Sequence, residues 1–234
     1  MSKHMCRDIG RLKKDLLTMG AMVEESIEKA IAALREQSQE LAREVIDGDD
    51  RIDRREVEVE EECLKLLALH QPVADDLRFV TAVLKINNDL ERMGDLAVNM
   101  AERALFLASV PPIPVPPQLK PMMEAVTRMV HASLDAFVNE NAEQARRVCA
   151  ADDEVDQLNR DMIGVIRAMM LADPATIERG LHLFSLPRQL ERIADHATNI
   201  AEDVVYMVEG EIIRHRAQKF VRTQAAAAAQ PPKT

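Results

Sequence analysis

The most informative feature of this chain is a pair of similar segments, LERMGDLAVNMAE at residues 90–102 and LERIADHATNIAE at residues 190–202. They are identical at eight of 13 positions without a gap. A second pair of segments, DGDDRID at 47–53 and AADDEVD at 150–156, precedes them in the same order. Self-similarity of this kind indicates a duplicated structural unit. We therefore predict two similar halves in tandem.

The first half has the periodicity of long helices. Its apolar residues recur at alternating steps of three and four, which keeps one apolar stripe facing the core. This pattern predicts a helix over residues 8–36, a second helix that ends near 70–71, and a third that runs from Pro72 to about Ser109. Proline suits the first position of a helix because its missing N–H would be unpaired there.

The same pattern restarts in the second half. Residues 122–138 and 142–171 are amphipathic, and Asp173 and Pro174 predict the N-terminus of a last helix that runs to about Glu209. Long helices with short connections favour antiparallel neighbours. The predicted fold class is all-α, with two tandem, pseudo-symmetric three-helix bundles built from six long antiparallel helices.

A proline-rich segment separates the halves. The sequence VPPIPVPP at 110–117 contains five prolines and cannot be helical. We interpret it as a stiff linker between bundles at 1–109 and 118–216, although a PxxP recognition ligand is the alternative. The alanine-rich residues within 217–234 have no periodic apolar face and predict a disordered tail.

Composition narrows the class of protein. Thirty basic and 40 acidic side chains give a net charge of −10, which disfavours a nucleic-acid partner. Seven glycines, six aromatic residues and no tryptophan argue against a β-sandwich or barrel. Three cysteines without CxxC spacing indicate reduced thiols. With no signal-peptide segment and no window of about 18 apolar residues, we expect a soluble, intracellular protein without direct membrane insertion.

One polar face of the third helix is kept in both halves. On a helical wheel of about 100° per residue, Glu91, Asp95, Asn99 and Glu102 lie within a single sector. A merely solvated face requires only polar residues, whereas a site with defined geometry requires particular ones. The identities kept between the halves are Glu91/Glu191, Arg92/Arg192, Asp95/Asp195, Asn99/Asn199 and Glu102/Glu202.

A second acidic set lies at the same height on the preceding helix. In an antiparallel pair, residues equally distant from the connecting turn are level, and a mismatch of one residue is only about 1.5 Å. Counting from turns near 71–72 and 173 predicts four level pairs. They are Asp53 with Glu91, Asp49 with Asp95, Asp156 with Glu191, and Asp152 with Asp195.

Four carboxylates at one level predict a metal site. Without a counter-ion they would repel and raise one another's pKa values. An all-oxygen set suits Mg, Mn, Fe or Zn, and the spacing leaves the identity of the metal open. We predict one site from Asp49, Asp53, Glu91 and Asp95, and another from Asp152, Asp156, Glu191 and Asp195. Candidate additional ligands, or partners of the ligands, are Asn99, Asn199, Arg92, Arg192, Glu102 and Glu202.

The chain resembles the PhoU family of phosphate-signalling regulators. The resemblance is carried by MGxxVE at 19–24, QPVADDLR at 71–78, the segment at 90–102, and LERIADHATNIAEDVVYMVEGEIIRH at 190–215. It implies two three-helix bundles with metal clusters on Glu91–Asp95 and Glu191–Asp195. It also implies a regulator that damps phosphate-starvation signalling and modulates phosphate uptake. The DLR segment at 76–78 has no counterpart in the second half.

The resemblance also implies partners and a location. The partners are the ATPase subunit of the phosphate ABC transporter and a membrane sensor histidine kinase, and the protein is expected to form a homodimer. It would be cytoplasmic, and peripheral to the inner membrane through these partners.

One rival interpretation is an enzyme or a metal store that uses the same carboxylates, such as a carboxylate-bridged di-metal protein. A metal-free structural adaptor is the other. No glutamate is followed by histidine three residues later, so the ligand pattern of di-iron bundles is absent. HExxH, GxxxxGK[ST] and GxSxG are absent as well. His196 lies about 140° from Glu191 on the wheel, and we expect it to contact protein rather than metal. We therefore predict a regulator without catalytic residues.

Overall fold

The computed structural model describes residues 3–213, and this part of the chain folds into six long helices with no strand. A short 3₁₀ turn, Pro174–Thr176, precedes the last helix. The predicted all-α fold of two three-helix repeats is confirmed. The helices are α1 (Lys3–Glu36), α2 (Gln39–His70), α3 (Ala74–Leu107), α4 (Leu119–Val138), α5 (Ala142–Ala172) and α6 (Ile177–Glu209).

Apolar stripes hold each bundle together. In α1, the side chains of Leu12, Leu16, Met19, Val23 and Ile27 are all buried, at the spacing that the periodicity predicts. Burying an aliphatic side chain contributes roughly 1.5–3 kcal/mol to folding, so this single stripe is a large part of the helix's stability. Because the stripe allows only one rotation of the helix about its axis, it also decides which residues of that helix face solvent.

The two bundles join along α3 and α6, which run antiparallel. Lys85 near the start of α3 pairs with Asp203 near the end of α6 at 3.1 Å. At the opposite end, the ring of Phe106 stacks on His182 with centroids 3.6 Å apart. On another side of the molecule α1 contacts α4, where a Cβ on Gly20 would lie 3.1 Å from Leu134. These contacts place the middle of α3 beside the middle of α6.

The proline-rich linker packs against the protein. Ile113 is buried in the core cluster, and the Arg179 guanidinium donates hydrogen bonds to the carbonyl oxygens of Pro111 and Pro112. Residues 110–117 lack helical structure, as five prolines require. The linker therefore crosses from one bundle to the next along the molecule's own surface.

Two helix starts test the capping predictions. The Asp173 side chain accepts a hydrogen bond from the backbone N–H of Ala175, but it caps the 3₁₀ turn, and α6 begins three residues after Pro174, at Ile177. The prediction that Pro72 opens α3 is wrong by two residues. Gln71 has a left-handed φ of 46° and Val73 is extended, so the reversal takes residues 71–73 and the helix begins at Ala74.

Two further predictions concern residues beyond those that the structure describes. The C-terminal limit of the second bundle at residue 216 and the tail at 217–234 lie outside the described residues. Within residues 3–213, no helix combines the length and apolar character needed to cross a membrane.

Candidate metal sites

In the first half, the acidic residues of α2 and α3 face one another. Asp49 Oδ1 lies only 3.7 Å from where a Cβ on Gly94 would be, so its carboxyl group rests against the backbone of α3. Burial, and then the charges of Asp53, Asp95 and Asp50, raise the pKa of Asp49 to about 6. Since Asp53 is on the same helix and Asp95 on the facing one, the structure brings these three carboxylates together.

Glu91 completes this first acidic cluster. Its pKa is raised by burial and then by the charges of Asp95 and Asp53, while Arg92 opposes the rise. The Arg92 guanidinium lies 3.4 Å from Glu91 Oε2 and 3.8 Å from Asp95 Oδ2. Arg92 is exposed, and its single charge leaves most of the negative charge of the cluster uncompensated.

The second half repeats the arrangement between α5 and α6. Burial, and then the charges of Asp195, Asp156, Asp153 and Glu191, raise the pKa of Asp152 to about 7. Burial and neighbouring carboxylates also raise the pKa of Glu191 and of Asp195. Asp152 Oδ1 is buried and has no hydrogen-bond partner among residues 3–213. A buried acceptor without a donor is costly and is the kind of atom that a cation satisfies.

The two asparagines lie beside the clusters in different ways. The Asn99 amide donates to the backbone carbonyl of Asp95, one turn earlier on the same helix, at 2.8 Å. The Asn199 amide instead donates to Asp89 Oδ1 on α3 at 3.2 Å, across the boundary between the halves. Their participation in metal binding stays a prediction.

The remaining candidates lie at the edges of the clusters. Arg192 is exposed and opposes the rise that burial causes in the pKa of Glu191. Glu102 is also exposed, with its carboxylate 3.9 Å from Arg103. Glu202 lies near Cys149, whose pKa is raised to about 11 by burial and by the Glu202 charge. Both glutamates lie at least one helical turn further along than the four-carboxylate sets.

The sequence did not predict the polar contacts between the two halves. His196 Nδ1 lies 2.7 Å from Asp89 Oδ1, and both side chains are largely buried. The expectation that His196 contacts protein is met by this pair. The repeat offered no signal for Asp89, because the equivalent residue is Gln189, and a single sequence does not show which helices of different halves adjoin.

The donor set fits a hard cation, although the side chains are not gathered around one. Within the described residues, no three His, Cys, Asp or Glu side chains are placed so that they could hold an ion as they stand. Asp156 lies 3.5 Å from the exposed Arg160, and Arg92 lies beside Glu91. A cation would have to draw these carboxylates away from the arginines. Oxygen-only donors, mutual repulsion and the unpartnered Asp152 oxygen all favour such an ion.

The chain matches known proteins along most of its length. The PhoU domain matches twice, at residues 16–104 and 119–204. A phosphate-specific transport system accessory protein PhoU homolog of Aquifex aeolicus is 43% identical over 210 residues, covering 90% of this chain and 95% of that protein. The homolog of Pseudomonas aeruginosa is 36% identical over 216 residues, covering 92% and 89%.

Solved structures resemble the described fold closely. The crystal structure of PhoU from Pseudomonas aeruginosa has a TM-score of 0.83 at 36% identity, covering 88% of this chain and 99% of that one. The phosphate transport system regulatory protein PhoU from Streptococcus pneumoniae also has a TM-score of 0.83, at 30% identity, covering 89% and 98%. Both repeats therefore have structural counterparts.

We expect Asp152→Asn to stabilise the chelated protein in a pH-dependent manner. The native pKa of about 7 lies above the ordinary 3.8, so the ionised carboxylate costs stability. That cost is absent below the unfolded pKa, grows as pH rises, and is fully present above the native pKa. Discounted for partial solvent exposure, the gain at pH 8 should be about 1–2 kcal/mol in the free energy of unfolding, and near zero at pH 3.5.

Urea denaturation of the chelated protein at both pH values measures this gain. Asp153→Asn is the matched control, because it removes the same charge from the adjacent, exposed position. Its gain should be the smaller one, since it removes only one of the four charges that act on Asp152. An equal gain from both variants, or a gain that does not change with pH, would contradict the clustering of carboxylates around Asp152.

Proposed function

Since the chain belongs to the PhoU family, we propose that it is a metal-binding regulator of phosphate homeostasis that limits phosphate-starvation signalling and modulates phosphate uptake. The observation that carries this proposal is the match of the PhoU domain to both halves, over residues 16–104 and 119–204. Relatives that cover about 90% of the chain are named as accessory proteins of a phosphate-specific transport system.

The partners that fit this role are proteins at the membrane. An accessory protein of a transport system acts by contacting its components, and no described helix could itself span a membrane. We therefore place the protein in the cytoplasm, bound to the ATPase subunit of the phosphate ABC transporter and to a membrane sensor histidine kinase, and we expect a homodimer. Its role is regulatory and not enzymatic.

The metal sites would stabilise the helix pairs α2–α3 and α5–α6. The first would use Asp49, Asp53, Glu91 and Asp95, and the second Asp152, Asp156, Glu191 and Asp195. Bound divalent or trivalent ions, with Fe, Zn, Mn and Mg as the candidates, would supply positive charge between acidic helices that otherwise repel. This chain's own contribution would be to hold the carboxylates level across each helix pair. The effect of neighbouring carboxylates on the pKa values of Asp49 and Asp152, which adds to the larger effect of burial, supports this proposal.

We expect metal to stabilise the folded chain through these residues. A ligand at about 100 times its Kd adds about 2.7 kcal/mol, which corresponds to a rise of roughly 5–10 °C in Tm for a chain of this size. Addition of at least one of Mn²⁺, Zn²⁺, Fe²⁺ and Mg²⁺ to chelated protein should produce this rise. In Asp49→Asn/Asp152→Asn the rise should fall by at least half.

The control is Asp50→Asn/Asp153→Asn, which removes two adjacent exposed carboxylates and should keep the full metal response. Differential scanning calorimetry measures all three proteins with and without metal. If wild-type Tm does not respond to any of the four metals, or if both double variants respond like wild type, the metal sites are wrong.

Deletion of the gene tests the regulatory role. We expect a phosphate-starvation reporter to be switched on in the deletion strain even in rich phosphate, because the restraint on signalling is lost. Wild-type protein supplied from a plasmid should restore repression. Unchanged reporter output in the deletion strain would contradict the proposed regulation and leave the metal sites to be judged by calorimetry.

A further inference from the structure

Each half has a surface groove between its first two helices, and the two grooves are equivalent by the repeat. Residues of α1 and α2 correspond to residues of α4 and α5 at a constant offset of 103. The core follows this offset, since Met19 matches Met122 and Val23 matches Val126, all four being buried. The grooves can therefore be compared position by position.

The groove of the first half, between α1 and α2, is closed by its own side chains. Lys29 Nζ lies 3.0 Å from Glu25 on α1 and 3.0 Å from Glu44 on α2, so one ammonium group bridges both walls. Met22 also lines this groove. The cavity that remains is only about 70 Å³.

The groove of the second half, between α4 and α5, is open. Ala125 and Ala132 occupy the positions of Met22 and Lys29, so two long side chains are replaced by methyl groups. The cavity is about 400 Å³, within the range of ligand-binding clefts. Its lining includes Met129 and Val148, which makes the floor apolar.

The charges at the rim are inverted between the two grooves. Arg128 makes no ion pair among the described residues, and Arg147 has only Glu143 at 3.8 Å, with both side chains mostly exposed. No lysine bridges the walls here. The inverted positions are Glu25/Arg128, Glu44/Arg147 and Arg51/Glu154.

We propose that the α4–α5 groove binds an amphipathic, acidic helix of a partner protein. Apolar side chains at i, i+3 and i+4 of that helix would enter the cavity, and its Asp or Glu residues would pair with Arg128 and Arg147. Two arginines without strong partners, in a chain of net charge −10, select an acidic ligand by charge complementarity. A second copy of this chain, which is itself acidic, is the other occupant that the crosslinking experiment distinguishes.

Photo-crosslinking in the organism itself tests this docking site. The full chain carries p-benzoylphenylalanine at Glu154, an exposed position on the groove rim, and crosslinked products are identified by mass spectrometry. The matched control carries the same group at Arg51, the equivalent exposed position of the closed groove. We expect a product from position 154, and not from position 51, whose crosslinked peptide belongs to an acidic amphipathic helix of another protein.

Charge reversal then tests the arginines. Arg128→Glu/Arg147→Glu should lower the yield of this product roughly tenfold, because like charges then face each other across the interface. Arg167→Glu makes one of these changes at an exposed position of α5 outside the groove and should leave the yield unchanged. Each of these variants should unfold cooperatively near the Tm of the wild-type protein without added metal, which shows that it folds.

Several outcomes would overturn the inference. They are no product at position 154, equal products at both positions, a product with lipid, with a second copy of this chain or with a basic segment, and an unchanged yield in the double variant. The inference rests on the proposed function for its need of a protein partner, yet the two fail separately. If no crosslink forms but the wild-type protein still represses the reporter, only the groove proposal is contradicted. If the crosslink forms but deletion of the gene leaves the reporter output unchanged, only the regulatory role is contradicted.

Discussion

The apolar stripes fix the rotation of each helix, and they thereby bring acidic residues of α2 and α3, and of α5 and α6, close enough for their charges to interact. Residues four apart share a helix face, so Asp49 and Asp53 project from α2 toward Glu91 and Asp95 of α3. The helices cannot turn to separate the acids without exposing core. Folding therefore partly buries the carboxylates near one another, and this burial first, and then the neighbouring negative charges, raises the pKa of Asp49 and of Asp152.

The two halves pack their acidic helices against each other with different side chains. In the first half Gly94 lets α2 approach α3, and a Cβ at that position would lie 3.3 Å from Ile52. In the second half Ala194 takes the place of Gly94, while Val155 takes that of Ile52. A methyl group gained on one helix is thus matched by one lost on the other, which keeps the packing volume nearly constant. The acidic residues around this contact keep their identity in both halves.

The outer surfaces have diverged where the acidic clusters have not. The grooves between the first two helices keep their apolar register but differ in charge and in volume, because Lys29 bridges one groove and Ala132 leaves the other open. A duplicated unit can in this way keep one site and specialise another. The halves are joined by α3 and α6, where Lys85 meets Asp203 and Asp89 meets His196.

The sequence was sufficient for local structure and for contacts within a repeat. Periodicity located six helices, and counting from the turns predicted pairs of carboxylates on α2 and α3 whose charges affect one another's pKa values. Pro72 was misplaced because the turn needs a left-handed Gln71 and an extended Val73, conformations that residue type does not specify. The Asp89–His196 pair was missed because it joins residues 107 apart in chain order, through an interface that periodicity does not reveal.

Anomalous scattering from crystals grown with manganese would show whether metal binds at the two acidic clusters. Data collected near the manganese absorption edge should show two groups of peaks, one between α2 and α3 beside Asp49 and Asp95, and one between α5 and α6 beside Asp152 and Asp195. Both groups should disappear from crystals of the chelated protein. Well-ordered maps without anomalous density at either cluster, or with the carboxylates turned away from each other, would contradict metal binding at these clusters.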